Sequence, residues 1–311
     1  MSESSKDRPI LRLAVSAMNA ADDSHLQAAL LQIAGQNTSV SVNAQPQEGH
    51  YSLEAMTESA LDSVCDRLRD EYRLAINVGP PTAILLETVR KEAEAEGKYI
   101  RQTGGSGNYG HCKLRIEPAE PGKGYQFIND TRAGSVPSEY IEFIDQGIRA
   151  AMKQGVLAGY PMVGVRVTLY EGSYHETDSN PVAFTLAGSI AFKEAAKKAN
   201  PVLLEPMMAI EIEVPEKLAA ATRHEVYAHR GRIESSVTAN GFGEIKAVVP
   251  LSELLVSASG IAMCPTAFAG YEAIRDSGSS DENGSGVTAN KPDGPRPGRR
   301  SEMARPDSED E

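Results

Sequence analysis

The chain runs twice through the same order of hydrophobic periods, and that repetition restricts its fold more than any other feature. From Pro9 to Val78 an alternating stretch, "ILRLAVSAM", is followed by an amphipathic one, "DDSHLQAALLQIAG", running from Asp22 or Asp23 to a stop at Gly35. Then come "TSVSVNA" and "HYSLEA", again alternating, the helical "TESALDSVCDRLRDEY", and a closing "RLAINVG". Apolar residues at every second position suit a half-buried strand, and recurrence at three and four suits a helix. The order strand, helix, strand, strand, helix, strand is the ferredoxin-like βαββαβ unit. A second pass lies near the other end, in "EPMMAIEIEVP", "EKLAAATRHEVYAH", "GRIESSV", "EIKAVVP", "LSELLVSASG" and "CPTAFAGYEAI". Pro80-Pro81 marks a junction, because neither proline continues a strand or helix interior. The expectation is an α+β fold in which two ferredoxin-like domains, at 8–80 and 203–275, flank a different domain at 81–202.

That middle region holds "RQTGGSGNYGH", where Gly105, Gly107 and Gly110 spell the G-x-G-x-x-G of dinucleotide-binding loops. The pattern has physical meaning only where a strand enters the glycines and a helix leaves them. Here "HCKLRIEP" follows, with Cys112, Leu114 and Ile116 alternating against Lys113, Arg115 and Glu117. The glycines therefore mark the tip of a β-hairpin. Beyond it the pattern predicts a helix with Ser138 as N-cap and Gly155 as stop, a strand "MVGVRVTLY", and a long helix from Pro181 to Asn200. Asn180 and Pro181 suit its N-cap and first turn, and Lys193, Lys197 and Lys198 suit the negative end of its dipole.

Composition narrows the functional classes. A net charge of −12 argues against a protein that coats nucleic acid with its whole surface. Between Lys98 and Lys198, however, 12 lysines and arginines face 10 acidic residues, so this stretch is +2 while the rest carries −14. An RNA-facing surface is expected in the middle of the chain. Cys65, Cys112 and Cys264 are far apart and have no C-x-x-C spacing, so neither a disulfide framework nor a metal site is expected, and a reducing cytoplasm fits best. No segment approaches the ~18 apolar residues of a membrane span. Residues 276–311 are rich in Gly, Ser, Pro and charge and lack aromatics, a composition expected to remain disordered.

In order, "INVGPP", "ETVRKEAEAEGKYIRQTGGSGNYGHCKLRIEP", "KGYQFINDTRAGSVPSEYIEFIDQGIRAAM", "GVLAGYPMVGVRVTLYEGSYHETDSNPVAFTLAGSIAFKEAAKKANPVLLEPMM" and "VVPLSELL" resemble the C-terminal half of elongation factor G, its domains three, four and five. The resemblance runs from about Pro9 to Ile274. It implies that 81–202 is a domain of the domain-four type, like the second domain of ribosomal protein S5, and that the protein is a ribosome-binding translation factor. In the family the fourth domain reaches the decoding site, with its tRNA and mRNA, through two loops. These match Gly104, Gly105, Ser106, Gly107, Asn108, Tyr109, Gly110 and His111 on one side, and Gly172, Ser173, Tyr174, His175, Glu176, Thr177 and Asp178 on the other. The histidine matching His175 is the one modified to diphthamide in the eukaryotic counterpart. His229, Arg230 and Arg232 match a basic turn of the fifth domain and are candidates for ribosomal RNA contact. The glycines would let the hairpin tip approach an RNA backbone with no Cβ in the way.

The departures matter as much. No G-x-x-x-x-G-K-[ST] loop occurs, so a phosphate cradle of that kind is absent from the sequence, and no cofactor is expected. "Asn290-Lys-Pro-Asp293" has the form of a guanine-reading motif but no preceding strand. Ser106 and Asn108 stand where the family commonly has Arg and Gln, and Ala262 and Phe268 where arginine is usual. "Leu53-Glu-Ala-Met-Thr-Glu58" replaces a glycine- and histidine-containing stretch. Lost cations weaken phosphate attraction. The leading expectation is a non-enzymatic ribosome-binding protein. The alternatives are the C-terminal half of a split translocase working with a separate GTP-binding chain and, remotely, a hydrolase using His175 with Glu176 or Asp178.

Overall fold

In the computed structural model, which describes residues 8–45, 50–101, 107–132, 135–256, 263 and 265–274, each hydrophobic period closes into the element its spacing requires. The first pass forms β1 (Leu11–Ala17), a 3-10 turn, α1 (Asp23–Gln36), β2 (Val40–Gln45), β3 (His50–Ala55), α2 (Glu58–Asp70) and β4 (Ile76–Val78). Strand order is β2-β3-β1-β4, the ferredoxin-like arrangement. Leu11, Leu13 and Val15 of β1 point inward at period two, and Leu26, Leu30 and Ile33 of α1 meet them at helical spacing. Thr57 caps α2, its hydroxyl accepting the Ala60 N–H at 3.4 Å.

The segment after Pro80-Pro81 is divided between two sheets. β5 (Thr82–Ala83) pairs with β1, whereas β6 (Leu86–Val89) joins the third sheet. The middle sheet consists of β7 (Ala93–Arg101), β8 (Asn108–Pro118), β9 (Gln126–Asn129) and β10 (Val165–Ser173), in the order β7-β8-β10-β9. Helices α3 (Ser138–Gln154) and α4 (Pro181–Lys198) pack against it and against each other. Cys112, Leu114 and Ile116 are fully buried beneath them, as the alternation requires. Burial in this apolar layer pushes the Cys112 thiol up to about 12, so it stays protonated.

Several boundaries differ from the sequence reading: α1 runs through Gly35 to Gln36, and α4 ends at Lys198, two residues before Asn200. Ser138 is the first helical residue of α3 and not its cap; Pro137 takes the capping position with no side-chain bond, its backbone non-helical at φ −56° and ψ 137° as a cap residue's is. The strand expected from Met162 starts at Val165, since Gly164 turns at φ +64°. Gly155 does end α3, at φ +60°.

The second pass gives β11 (Pro201–Pro215), α5 (Glu216–Ala228), β12 (Arg232–Ala239), β13 (Phe242–Pro250), α6 (Leu251–Val256) and β14 (Pro265–Ala273). Its order, β12-β13-β11-β14, repeats that of the first sheet. Met208 and Leu251 are buried in the core of the first sheet, with Phe268 and Tyr271 packed on it. The Tyr271 hydroxyl donates to the Ile84 carbonyl at 3.1 Å. The first and third sheets thus share an apolar core, and Phe268 is one of the residues that joins them.

Candidate nucleic-acid interface

At one end of the middle sheet, the start of β8 and the end of β10 lie side by side, with Ser173 opposite His111 and Gly172 opposite Cys112. Residues 174–178 then lead into the cap of α4. This brings together Gly107, Asn108, Tyr109, Gly110 and His111 with Gly172, Ser173, Tyr174, His175, Glu176, Thr177 and Asp178. Gly104, Gly105 and Ser106 lie outside the described residues, as do Ala262 and the Asn290–Asp293 motif.

The two loops are tied to each other by hydrogen bonds. Gly107 N–H donates to Asp178 Oδ1 at 3.0 Å, and Tyr109 N–H donates to the Asp178 carbonyl at 2.7 Å. The Ser179 hydroxyl donates to the Tyr109 carbonyl at 3.1 Å, and the Asn180 side-chain amide donates to Asn108 Oδ1 at 2.7 Å. Asn180 Oδ1 meanwhile accepts the Ala183 N–H at 3.0 Å, so one side chain caps α4 and fastens the opposite loop. Asn108 therefore turns inward to Asn180, a role its comparison with the family's glutamine did not suggest. Asn180 was readable only as a helix cap and Ser179 carried no signal; their bonds to the opposite loop cross 70 residues or more and leave no local pattern.

The glycines serve the helix. A Cβ on Gly110 would collide with the carbonyl group of Ala183, and one on Gly97 with the carbonyl oxygen of Ala187. Their absence lets α4 lie directly on the hairpin backbone. The nearest atoms to a Cβ on Gly107 would be the Asp178 carboxylate carbon at 2.8 Å and its two oxygens at 3.0 Å.

Beneath the tip, the Tyr109 and Ser173 hydroxyls are 2.7 Å apart, and Ser173 Oγ is 2.7 Å from His111 Nδ1. His111 Nε2 lies 3.0 Å from Glu96 Oε1, close enough for an ion pair but not aligned as a hydrogen bond. Burial lowers the His111 pKa below the ordinary histidine value, with Lys98 and Lys113 adding to it and Glu96 and Glu171 opposing. The imidazole is neutral at physiological pH.

His175 faces outward, its side chain 56% exposed. Its Nδ1 is 3.1 Å from the Thr177 hydroxyl and 3.5 Å from Asp178 Oδ2. Its backbone N–H donates to Ser179 Oγ at 2.9 Å, which closes the loop. Tyr174 and Ile100 are also exposed here. The described residues offer hydrogen-bonding and stacking groups on a cross-tied tip.

His229, Arg230 and Arg232 lie elsewhere, around the turn between α5 and β12. Arg230 Nη1 and Nη2 bond to the buried Glu205 at 2.6 and 3.0 Å, and Nε to Glu253 at 2.7 Å. Arg232 pairs with Glu272 at 3.2 Å, and His229 lies 3.4 Å from Glu225 and 3.5 Å from Glu253. Every cation of this turn has a carboxylate neighbour. Lys193 and Lys197 likewise bond to Gln154 and Glu194, at 3.1 and 2.9 Å. Among the described residues no group of three or more His, Cys, Asp or Glu could hold a metal ion, and no helix is long and apolar enough to cross a membrane.

Two ferredoxin-like units around a two-loop tip domain are the arrangement of a translation elongation factor's domains III, IV and C-terminal region. The family models of elongation factor G match in the same order: domain III over residues 7–80, domain IV over 81–200 and the C-terminal region over 202–279. The chain belongs to the elongation factor G family. A solved crystal structure of a Thermus thermophilus protein is similar at 34% identity and a TM-score of 0.66, over 86% of this chain. The match spans 41% of that protein's chain.

Proposed function

We propose that the protein binds the ribosome and sets the two-loop tip of its middle domain near the decoding site, against tRNA and mRNA. The observation that carries this reading is the cross-tied tip. Two loops far apart in sequence are fused into one body that leaves His175 and Tyr174 facing solvent, a shape suited to entering a confined RNA site. Weak charge at the tip favours recognition by fit and stacking over bulk phosphate attraction. The cytoplasm is where such a protein would work. No catalytic step is assigned to it: His175 and Glu176 sit on an exposed stretch of loop, with Asp178 tied to Gly107 and Tyr109.

The test is cosedimentation with ribosomes at low salt, alongside a variant in which 104–110 and 174–178 are replaced by Gly-Ser segments. The parent should pellet with ribosomes and the variant should not. Absence of binding by the parent at low salt removes the reading.

A second reading takes the chain as one part of a two-chain factor. In it a separate GTP-binding chain is the partner, and the present chain supplies the tip. A complex that assembles only with GTP distinguishes it from the first reading.

A further inference from the structure

Glu87 is fully buried, and the proposed function does not use it. Its Oε2 accepts the N–H groups of Val156 and Leu157 at 2.7 and 2.9 Å, and its Oε1 those of Ala158 and Tyr160 at 2.8 and 3.1 Å. The four donors converge because the turn after α3 passes through Gly155 at φ +60° and Gly159 at φ +86°. Such convergent backbone N–H groups make an anion-binding concavity. Here the anion is the chain's own carboxylate, set so close that a Cβ on Gly155 would lie 2.5 Å from Oε1. Burial resists ionisation, but the four N–H bonds outweigh it and hold the carboxyl below the usual range.

The backbone of the same residue makes a second attachment. Glu87 N–H donates to the Pro161 carbonyl, and the Glu87 carbonyl accepts the Val163 N–H, both at 2.9 Å. The neighbouring Thr88 hydroxyl donates to the Val163 carbonyl at 2.8 Å. On its other side β6 is a strand of the third sheet, where Glu87 stands opposite Leu203 of β11. One residue thus grips the 156–163 loop of the tip-bearing region while its strand is part of the third sheet.

We propose that Glu87 is the positioning residue of this joint: its carboxylate, seated in the 156–160 backbone concavity, fixes the angle of the tip-bearing sheet on the third sheet. The inference deepens the proposed function, since a tip placed in a confined site needs a rigid base, but the joint exists whatever the tip touches. Removing the charge leaves each sheet its own core while the angle between them becomes variable. In Glu87→Gln the side-chain NH2 faces two backbone donors and leaves them unpaired.

The experiment uses the full chain without ribosomes, so its outcome is independent of whether ribosome binding occurs. Spin labels at the exposed Ile100 and Val237, attached through encoded ketone side chains so that the three cysteines stay untouched, report the distance between the two sheets. The parent should give one narrow distribution. Glu87→Gln should widen it at least about twofold while hydrogen-exchange protection of β8 and α4 amides is kept, because a local joint opens without global unfolding. Thr88→Val, which removes a single bond of the joint, should widen it less. An unchanged width in both variants overturns the inference, as does a loss of protection spread evenly over β8, α4 and β13. If Glu87→Gln fails to fold, Thr88→Val decides: a distribution wider than the parent's with β8 and α4 protection kept supports the inference, and an unchanged width overturns it.

Discussion

Gly110→Ala separates two uses of a tip glycine, one for RNA approach and one for seating α4. A Cβ at this position would overlap the Ala183 carbonyl group and come within 2.8 Å of the Phe184 nitrogen. Those atoms belong to the first turn of α4, whose Asn180 cap also fastens the opposite loop, so they cannot shift alone. Ordinary carbon contacts lie near 3.5–4.0 Å, so the helix would have to rise by about 1 Å. Overpacking of this kind costs about 1–3 kcal/mol, offset by roughly 0.4–1 kcal/mol from restricting the unfolded chain. At about 2–4 °C per kcal/mol for a chain near this size, the expected loss in Tm is up to roughly 10 °C. Gly107→Ala is the control: the nearest atoms to its Cβ are those of the Asp178 side-chain carboxylate rather than helix backbone, and the expected cost is about 1 kcal/mol, the value of the one hydrogen bond that carboxylate makes to Gly107. Thermal melts of both variants, followed by ribosome cosedimentation, make the comparison. An unchanged Tm for Gly110→Ala together with lost ribosome binding would refute helix seating and return the glycine to the RNA.

The pH dependence of stability should carry the signature of His111, whose folded pKa is lowered by burial. A lowered histidine contributes stability that is complete above the unfolded value near 6.5 and is lost as pH falls through it toward the folded value; in melts from pH 8 to 5, the advantage of the parent over His111→Gln should therefore shrink below about pH 6.5, and a constant difference would contradict the buried neutral ring. Arg230→Ala leaves the buried Glu205 with Ser252 as its remaining side-chain partner. Breaking a fully buried pair costs roughly 3–5 kcal/mol, and because the Arg230 side chain is 36% exposed the loss in denaturant melts should be about 2–3 kcal/mol. The salt dependence of ribosome association should stay the same, since that guanidinium is already held by carboxylates; a shallower slope would show that it contacts phosphate. His175→Ala should leave the melting curve unchanged, because an exposed loop side chain adds little packing, yet displace mRNA position in a toeprinting assay; His175→Lys should restore low-salt affinity without restoring position.

Most of the fold was legible because its signals are local. The period-two runs of β1, β8 and β11 and the helical spacing of α1 and α2 each depend on neighbours along the chain, and twice they generate the same strand order. The α4 cap was legible for the same reason, since Asn180-Pro181 is a contiguous signal. What escaped depends on contacts between distant segments. Gly110 announced a close approach but not its partner, the first turn of α4. Arg230 read as a free cation because Glu205, its buried partner, is 25 residues away. Glu87 carried a faint signal, an acidic residue inside the apolar "ILLETV", but the four N–H groups that explain it come from a loop about 70 residues later. Phe268 read as a missing arginine, and only the shared core of the first and third sheets gives it a role.

The central claim, that the cross-tied tip enters the decoding site, is tested most directly by a cryo-electron microscopy reconstruction of the full chain bound to ribosomes carrying tRNA and mRNA. The account predicts density for the middle sheet pointing into the small subunit, with the 107–111 and 172–178 segments against tRNA and mRNA and His175 at the contact. A chain bound at another site, or bound with this tip exposed to solvent, would contradict it.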